Sequence, residues 1–219
     1  MNLKAETIKK IENSINKAIL PEKMPIKRGN LKISKDTLIF SMSTAYHCPA
    51  AKKGLCKVRN ICYGLKGEAT YNRDTPKYHE KQHLYWKLRD AEDIFNDILD
   101  IVRNERIKTR YIRFNEVGDI EDTEDLEKLK KLAKLLENAY ITQDIIIYGY
   151  TARYDMKKEI MTNKPKNLII NGSGFMLDNR FNAVDEIDDY IPETVCPGKC
   201  LNCKLCKEIK GMHIYIKKH

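Results

Sequence analysis

Apolar residues recur three or four positions apart over the first twenty residues of the chain, which is the spacing of one face of an α-helix. The residues that set this pattern are all isoleucines: Ile8, Ile11, Ile15 and Ile19. Pro21 follows them, and proline removes a backbone donor and blocks the continuation of a helix. The pattern therefore predicts an N-terminal amphipathic helix that ends before Pro21.

Shorter apolar runs farther along the chain are typical of buried strands. They occupy residues 37–43, 110–115, 144–153 and the stretch from 167, and an alternating run at 213–219 predicts a final strand. Helical periodicity fills the intervals, at residues 66–108, 122–138 and 154–162. The predicted order is therefore strand, long loop, helix, strand, helix, strand, helix, strand.

Continuous apolar strands that alternate with helices favour a parallel sheet covered by helices. The chain has 219 residues, whereas a complete eight-stranded βα barrel needs about 250. We therefore predict an α/β protein, a TIM-barrel-like partial (βα) barrel with mostly parallel strands and a cysteine-rich C-terminal segment. The expected divisions are an N-terminal helix and lead-in (1–36), the barrel core (37–190), and a cysteine-rich tail with the final strand (191–219).

The net charge is +9, from 40 basic and 31 acidic residues. Such a balance is consistent with a nucleic-acid partner, but the lysines are scattered along the chain and most have acidic neighbours. No apolar run is long enough to span a bilayer, and the N-terminal residues lack the contiguous apolar core of a signal peptide. We therefore expect a cytoplasmic protein without a membrane partner.

All seven cysteines fall in two short segments, which in a reducing compartment favours metal binding over disulfides. The first segment holds Cys48, Cys56 and Cys62, spaced C-x7-C-x5-C, directly after the first strand. Three thiolates on a 4Fe-4S cluster leave one iron open to a small molecule, and ligand sites of parallel α/β folds lie at strand carboxyl ends. His47 is an alternative fourth ligand.

The second segment carries four cysteines within eleven residues: Cys196, Cys200, Cys203 and Cys206. This C-x3-C-x2-C-x2-C spacing favours a second iron–sulfur cluster over a zinc ribbon, whose two knuckles usually lie farther apart. Two other divisions are open. Cys196 completes the first site in one, and both segments surround one larger assembly in the other.

Polar residues follow the other predicted strands and are expected to converge on the same edge. We assign catalytic roles to Glu116, Asp119 and Arg153, as general base, iron ligand or anion clamp. Cofactor-binding roles fall to the remaining polar or small residues of these strand ends: Asn115, Tyr150, Thr151, Gly172 and Gly174. The alternatives are structural, because Asp119 fits a turn or helix cap and Arg153 is close in sequence to Asp155 and Glu159.

Four sequence blocks, SMSTAYHCPAAKKGLCKVRNICYGLKGEATY, RFNEVGD, YGYTAR and CPGKCLNCKLC with MHIYIKKH, resemble the phage gene product 88 family. The resemblance runs from about Leu38 to His219 and implies iron–sulfur binding. It does not name an activity.

The chain also resembles, more distantly, the radical S-adenosylmethionine enzymes. That resemblance implies a partial βα barrel and a three-cysteine cluster whose open iron binds S-adenosylmethionine, although the spacing here exceeds their usual C-x3-C-x2-C. The expected partners are then a small-molecule substrate or an electron donor. A nucleic-acid-binding or redox-sensing protein and a simple electron carrier are the alternatives, so an enzymatic role is left open.

Overall fold

A single seven-stranded sheet organises the computed structural model, which describes residues 3–70, 74–201 and 203–218. Its strands lie side by side in chain order: β1 (Lys27–Arg28), β2 (Thr37–Phe40), β3 (Tyr111–Phe114), β4 (Ile146–Thr151), β5 (Leu168–Ser173), β6 (Asn179–Val184) and β7 (His213–Lys217). Strands β2 to β7 are parallel and β1 is antiparallel to β2. The prediction of a mostly parallel α/β sheet is confirmed.

Among the described residues the edge strands β1 and β7 do not pair with each other, so the sheet is not closed. A barrel-like curvature stays a prediction. Two strands were not predicted from the sequence: β1, which has two residues, and β6, whose sequence NRFNAV is half polar.

Seven helices accompany the sheet in the described ranges: α1 (Ala5–Ile15), α2 (Pro49–Lys52), α3 (Tyr63–Thr70), α4 (Thr75–Leu88), α5 (Ala91–Arg103), α6 (Thr123–Asn138) and α7 (Lys157–Met161). Asp90 and Asp122 begin α5 and α6 as N-caps, each accepting the backbone N–H three residues later. The predicted N-terminal helix ends earlier than expected, at Ile15, and Ile19 beyond it is exposed.

The two faces of the sheet have different covers. One face packs against α4 to α7 in the main apolar core, to which Phe40, Phe114 and Trp86 contribute. The other face presents Tyr111, Tyr148 and Ile169, which pack against Cys206 and Ile214 of the C-terminal segment. In the described ranges no helix has the length and apolar character needed to cross a membrane.

Candidate metal centres

The three-cysteine loop leaves β2 at the carboxyl edge of the sheet, and a buried carboxylate fixes its first residues. Glu68 of α3 accepts the backbone N–H groups of Ala45 at 2.8 Å and Tyr46 at 2.9 Å. His79 Nδ1 lies 2.7 Å from the same carboxylate. Arg59 donates to the Ala45 carbonyl at 2.7 Å. The loop therefore has a defined conformation set by side chains on either side of it.

The same loop docks on the turn that follows β3. Gly64 of α3 sits so close to Val117 that an added Cβ would lie 2.5 Å from the valine Cγ1. Gly118 has φ of 80° and contacts Ser43, where a Cβ would again clash. Ala45, Leu65 and Val117 form a small apolar cluster beside Cys62. The glycines thus permit the close packing that joins the two loops.

The charge of Asp119 reaches two of the three thiols of this loop, those of Cys48 and Cys56. Burial, followed by the charge of Asp119, raises the pKa of Cys48 to about 12. Burial likewise raises the pKa of Cys56, and the charges of Cys62 and Asp119 add to the rise. Cys62 Sγ accepts the Leu65 N–H at 3.5 Å. Backbone N–H···S bonds from Ala51 to Cys48 and from Val58 to Cys56 oppose the rise in pKa, and such bonds suit thiolates bound to a metal.

Asp119 joins the ends of β3 and β4. Its carboxylate accepts the Thr151 hydroxyl at 2.5 Å, the Ala152 N–H at 2.8 Å and the Ile120 N–H at 2.8 Å. Burial raises its pKa to about 6 against these lowering hydrogen bonds. Asp119 therefore positions the strand ends, and its charge also acts on the neighbouring thiols.

The other residues at the strand ends make contacts within the protein. Arg153 is buried, pairs with Asp155 at 2.8 Å, and donates to the carbonyls of Ile120 and Glu121 at 2.6 Å each. Asn115, with φ of 55°, accepts the Met42 N–H at 3.1 Å and so ties β3 to β2. Glu116 accepts a hydrogen bond from Asn30 at 3.1 Å, and its charge acts on Tyr63 and Arg113.

Gly172 lies near the end of β5, and Gly174 begins the short connection to β6. A Cβ on Gly172 would lie 2.2 Å from the Phe175 carbonyl oxygen, and Gly174 has φ of 85°. At Gly172 the close neighbour is therefore the backbone of Phe175 in the same chain. The catalytic and cofactor-binding assignments of these strand-end residues stay predictions.

The four-cysteine segment lies across the sheet face opposite the main core. Asn171 of β5 donates to the Cys206 carbonyl at 2.8 Å, and Asn179 of β6 donates to the Ile209 carbonyl at 2.8 Å. The Tyr150 hydroxyl hydrogen-bonds to the Cys206 sulfur. Burial raises the pKa of Cys206 to about 11 and also raises that of Cys196. Buried amides of the sheet thus hold the segment in place.

Two cations lie beneath this segment. Arg113 projects from β3 on the face of Tyr111 and Tyr148, its register neighbour on β4. Its buried Nε and the buried Tyr148 hydroxyl have no hydrogen-bond partner among the described residues. Lys207 is only 3% exposed; its Nζ donates to the Cys200 carbonyl at 3.1 Å and lies 4.1 Å from the Tyr111 ring centroid.

All seven cysteines are free thiols. Within the part of the chain that the structure describes, no three His, Cys, Asp or Glu side chains are already arranged to hold a metal ion. Neighbouring cysteines add to the rise in the pKa of Cys48 and of Cys196, so each of these two thiols has other cysteines of its own segment nearby.

Sequence reasoning missed Glu68, Arg113 and Lys207. Arg113 left one signal, a charge inside the otherwise apolar strand YIRF. Lys207 directly follows the last cysteine, and nothing in the sequence marks Glu68 as buried.

The fold and the two thiol groups define a mixed α/β protein with two separate cysteine-rich segments. Its sheet is mostly parallel, and its strands lie side by side in chain order. The sequence model of the Gene product 88 family matches residues 9–191, and the chain belongs to this family. The matched range includes most of α1 and the three-cysteine loop, and it stops before Cys196. Comparison with curated proteins and with solved structures found no significant match.

Proposed function

We propose that this chain is an iron–sulfur protein with two clusters. Cys48, Cys56 and Cys62 hold a 4Fe-4S cluster with one open iron. The second cluster is held by the four C-terminal cysteines, Cys196, Cys200, Cys203 and Cys206. The observation that carries the proposal is the separation of seven free thiols into two groups on one sheet, at its carboxyl edge and across one face.

The loop around the three cysteines supports an open, reactive position. It lies at the carboxyl edge of parallel strands, where α/β proteins place their ligands. Cys48, Cys56 and Cys62 belong to the loop at this edge, and the charge of Asp119 reaches Cys48 and Cys56. The proposed chemistry is redox or radical catalysis of the S-adenosylmethionine type, in which Asp119, Glu116 and Arg153 contact or position the small molecule.

Anaerobic reconstitution with iron and sulfide tests the proposal directly. The full chain is expected to bind about eight irons and a similar amount of sulfide, as two cubanes require. A triple variant of Cys48, Cys56 and Cys62 to alanine, and a quadruple variant of the C-terminal cysteines, should each lose about half of the iron. Tightly bound zinc without sulfide would overturn the proposal.

The occupant of the open iron is tested by EPR of the reduced protein with and without S-adenosylmethionine. A changed spectrum that disappears in the triple variant supports a radical enzyme. An unchanged spectrum with reversible reduction assigns the protein to electron transfer instead. Salt-dependent binding of DNA or RNA without cofactor turnover would favour a nucleic-acid-binding role.

A further inference from the structure

Three buried cations elsewhere in the described part of the chain have carboxylate partners. Arg153 pairs with Asp155, Lys164 with Asp178, and Lys130 with Glu127. Arg113 and Lys207 differ, because neither forms an ion pair with any carboxylate of the described residues. Arg113 instead stacks near the Tyr150 ring at 5.5 Å, and Lys207 near the Tyr111 ring at 4.1 Å. Two cations thus lie on one face of the sheet without an ion pair among the described residues, although the charge of Glu116 also acts on Arg113.

Such an arrangement is costly unless something anionic completes it. Removing a charge from water is costly even after the protein relaxes. Aromatic faces and one carbonyl recover only part of this cost. Both cations also act on the C-terminal cysteine segment. Lys207 donates to the Cys200 carbonyl, and the charge of Arg113 acts on the thiols of Cys196 and Cys206.

A 4Fe-4S cluster held by four thiolates would bring negative charge to this face. Its oxidised core and four thiolates carry a net charge of roughly −2, opposite in sign to Arg113 and Lys207. The unpartnered Nε of Arg113 and the Tyr148 hydroxyl are donors of the kind that hydrogen-bond to cluster sulfurs. The positive charges and the free donors both suit an anionic cluster over this face.

We propose that Arg113 and Lys207 are the countercharges of the C-terminal cluster and that they raise its reduction potential. This inference rests on the two-cluster function proposed above. Reduction adds one electron to an already anionic group, so a nearby cation stabilises the reduced form more than the oxidised form. Removing either cation should therefore lower the potential of this cluster and leave the three-cysteine cluster unchanged.

The test is an EPR-monitored redox titration of the reconstituted full chain carrying Arg113→Gln or Lys207→Gln. We expect the equilibrium constant for reduction of one of the two clusters to fall by a factor of ten or more. For one electron, this equals a shift of about 59 mV to lower potential. The matched control is Lys199→Gln, which removes a lysine from the same segment at an exposed position. Solvent screening should make its shift much smaller.

The outcomes distinguish the countercharge proposal from the two-cluster function on which it rests. A full iron load with both potentials moved no more than in the control overturns the countercharge role and leaves the two-cluster function standing. A chain that binds no iron and sulfide overturns both. If the Arg113→Gln variant loses only the C-terminal cluster, the Arg113→Lys variant decides the reason. Retention of the cluster in Arg113→Lys supports a requirement for positive charge at this position. Loss of the cluster in Arg113→Lys contradicts that requirement.

Discussion

Glu68 connects α3 to the three-cysteine loop through two backbone amides and one histidine. A glutamine in its place retains one acceptor oxygen and turns an NH2 group toward an N–H donor. We expect Glu68→Gln to lower the free energy of unfolding by about 2–4 kcal/mol, because buried donors lose their partner. Urea unfolding measures this loss, with the exposed Glu22→Gln as the control. Equal stability of the two variants would contradict a loop-fixing role for Glu68.

The raised pKa of Asp119 predicts that the stability of the metal-free chain depends on pH. Burial raises its folded pKa to about 6, whereas an unfolded aspartate titrates near ~3.9. Between these values the folded chain binds more protons than the unfolded chain, so this contribution to stability is present at low pH. It falls as the pH rises from about 4 to about 6, by roughly 2–3 kcal/mol in total.

The measurement for Asp119 is the difference in unfolding free energy between the wild-type chain and Asp119→Asn across this pH range. The wild-type chain should lose stability relative to the variant as the pH rises, because asparagine does not titrate. Parallel curves for the two proteins would show that Asp119 titrates near its unfolded pKa.

At the scale of elements, α3 carries a matched pair of glycines. A Cβ on Gly64 would clash with Val117, whereas one on Gly67 would meet nothing within 4 Å. We expect Gly64→Ala to destabilise the protein by about 1–3 kcal/mol through overpacking. Gly67→Ala should stabilise it by up to about 1 kcal/mol through helix propensity.

Chemical unfolding of both glycine variants separates docking from propensity. The double variant Gly64→Ala with Val117→Ala should recover part of the loss, because the smaller side chain makes room for the added methyl group. Equal effects of the two single substitutions would mean that α3 does not dock on the turn after β3.

Elements with a continuous apolar run were predictable from sequence, and β2, β3, β4 and β5 all lie where their runs predicted. Strand β6 was not, because half of NRFNAV is polar and its place depends on pairing with β5 and β7. The long helical stretch at 66–108 contains three helices. The burial of Arg113 also depends on distant residues. The segment that covers β3 comes some ninety residues later in the chain.

At the scale of the whole molecule, the C-terminal segment is the cover of one sheet face. A chain that ends at Val184 lacks Cys206 and Ile214, which pack on Tyr111, Tyr148 and Ile169. We expect this truncation to bind a hydrophobic dye and to lose cooperative unfolding, because apolar surface on that face becomes exposed. A chain that ends at Lys217 keeps β7 and serves as the control. Cooperative unfolding of the shorter chain would assign the segment a purely ligand-holding role.

The agreement between strand order in space and strand order in the chain has a consequence for biosynthesis. As the polypeptide leaves the ribosome, each new strand pairs with the one translated just before it, so the sheet grows from one side. The surroundings of the first three cysteines are complete once β4 and Ala152 have emerged. The last four cysteines are translated afterwards and settle on a face that already exists. The surroundings of the two thiol groups are therefore completed one after the other during synthesis.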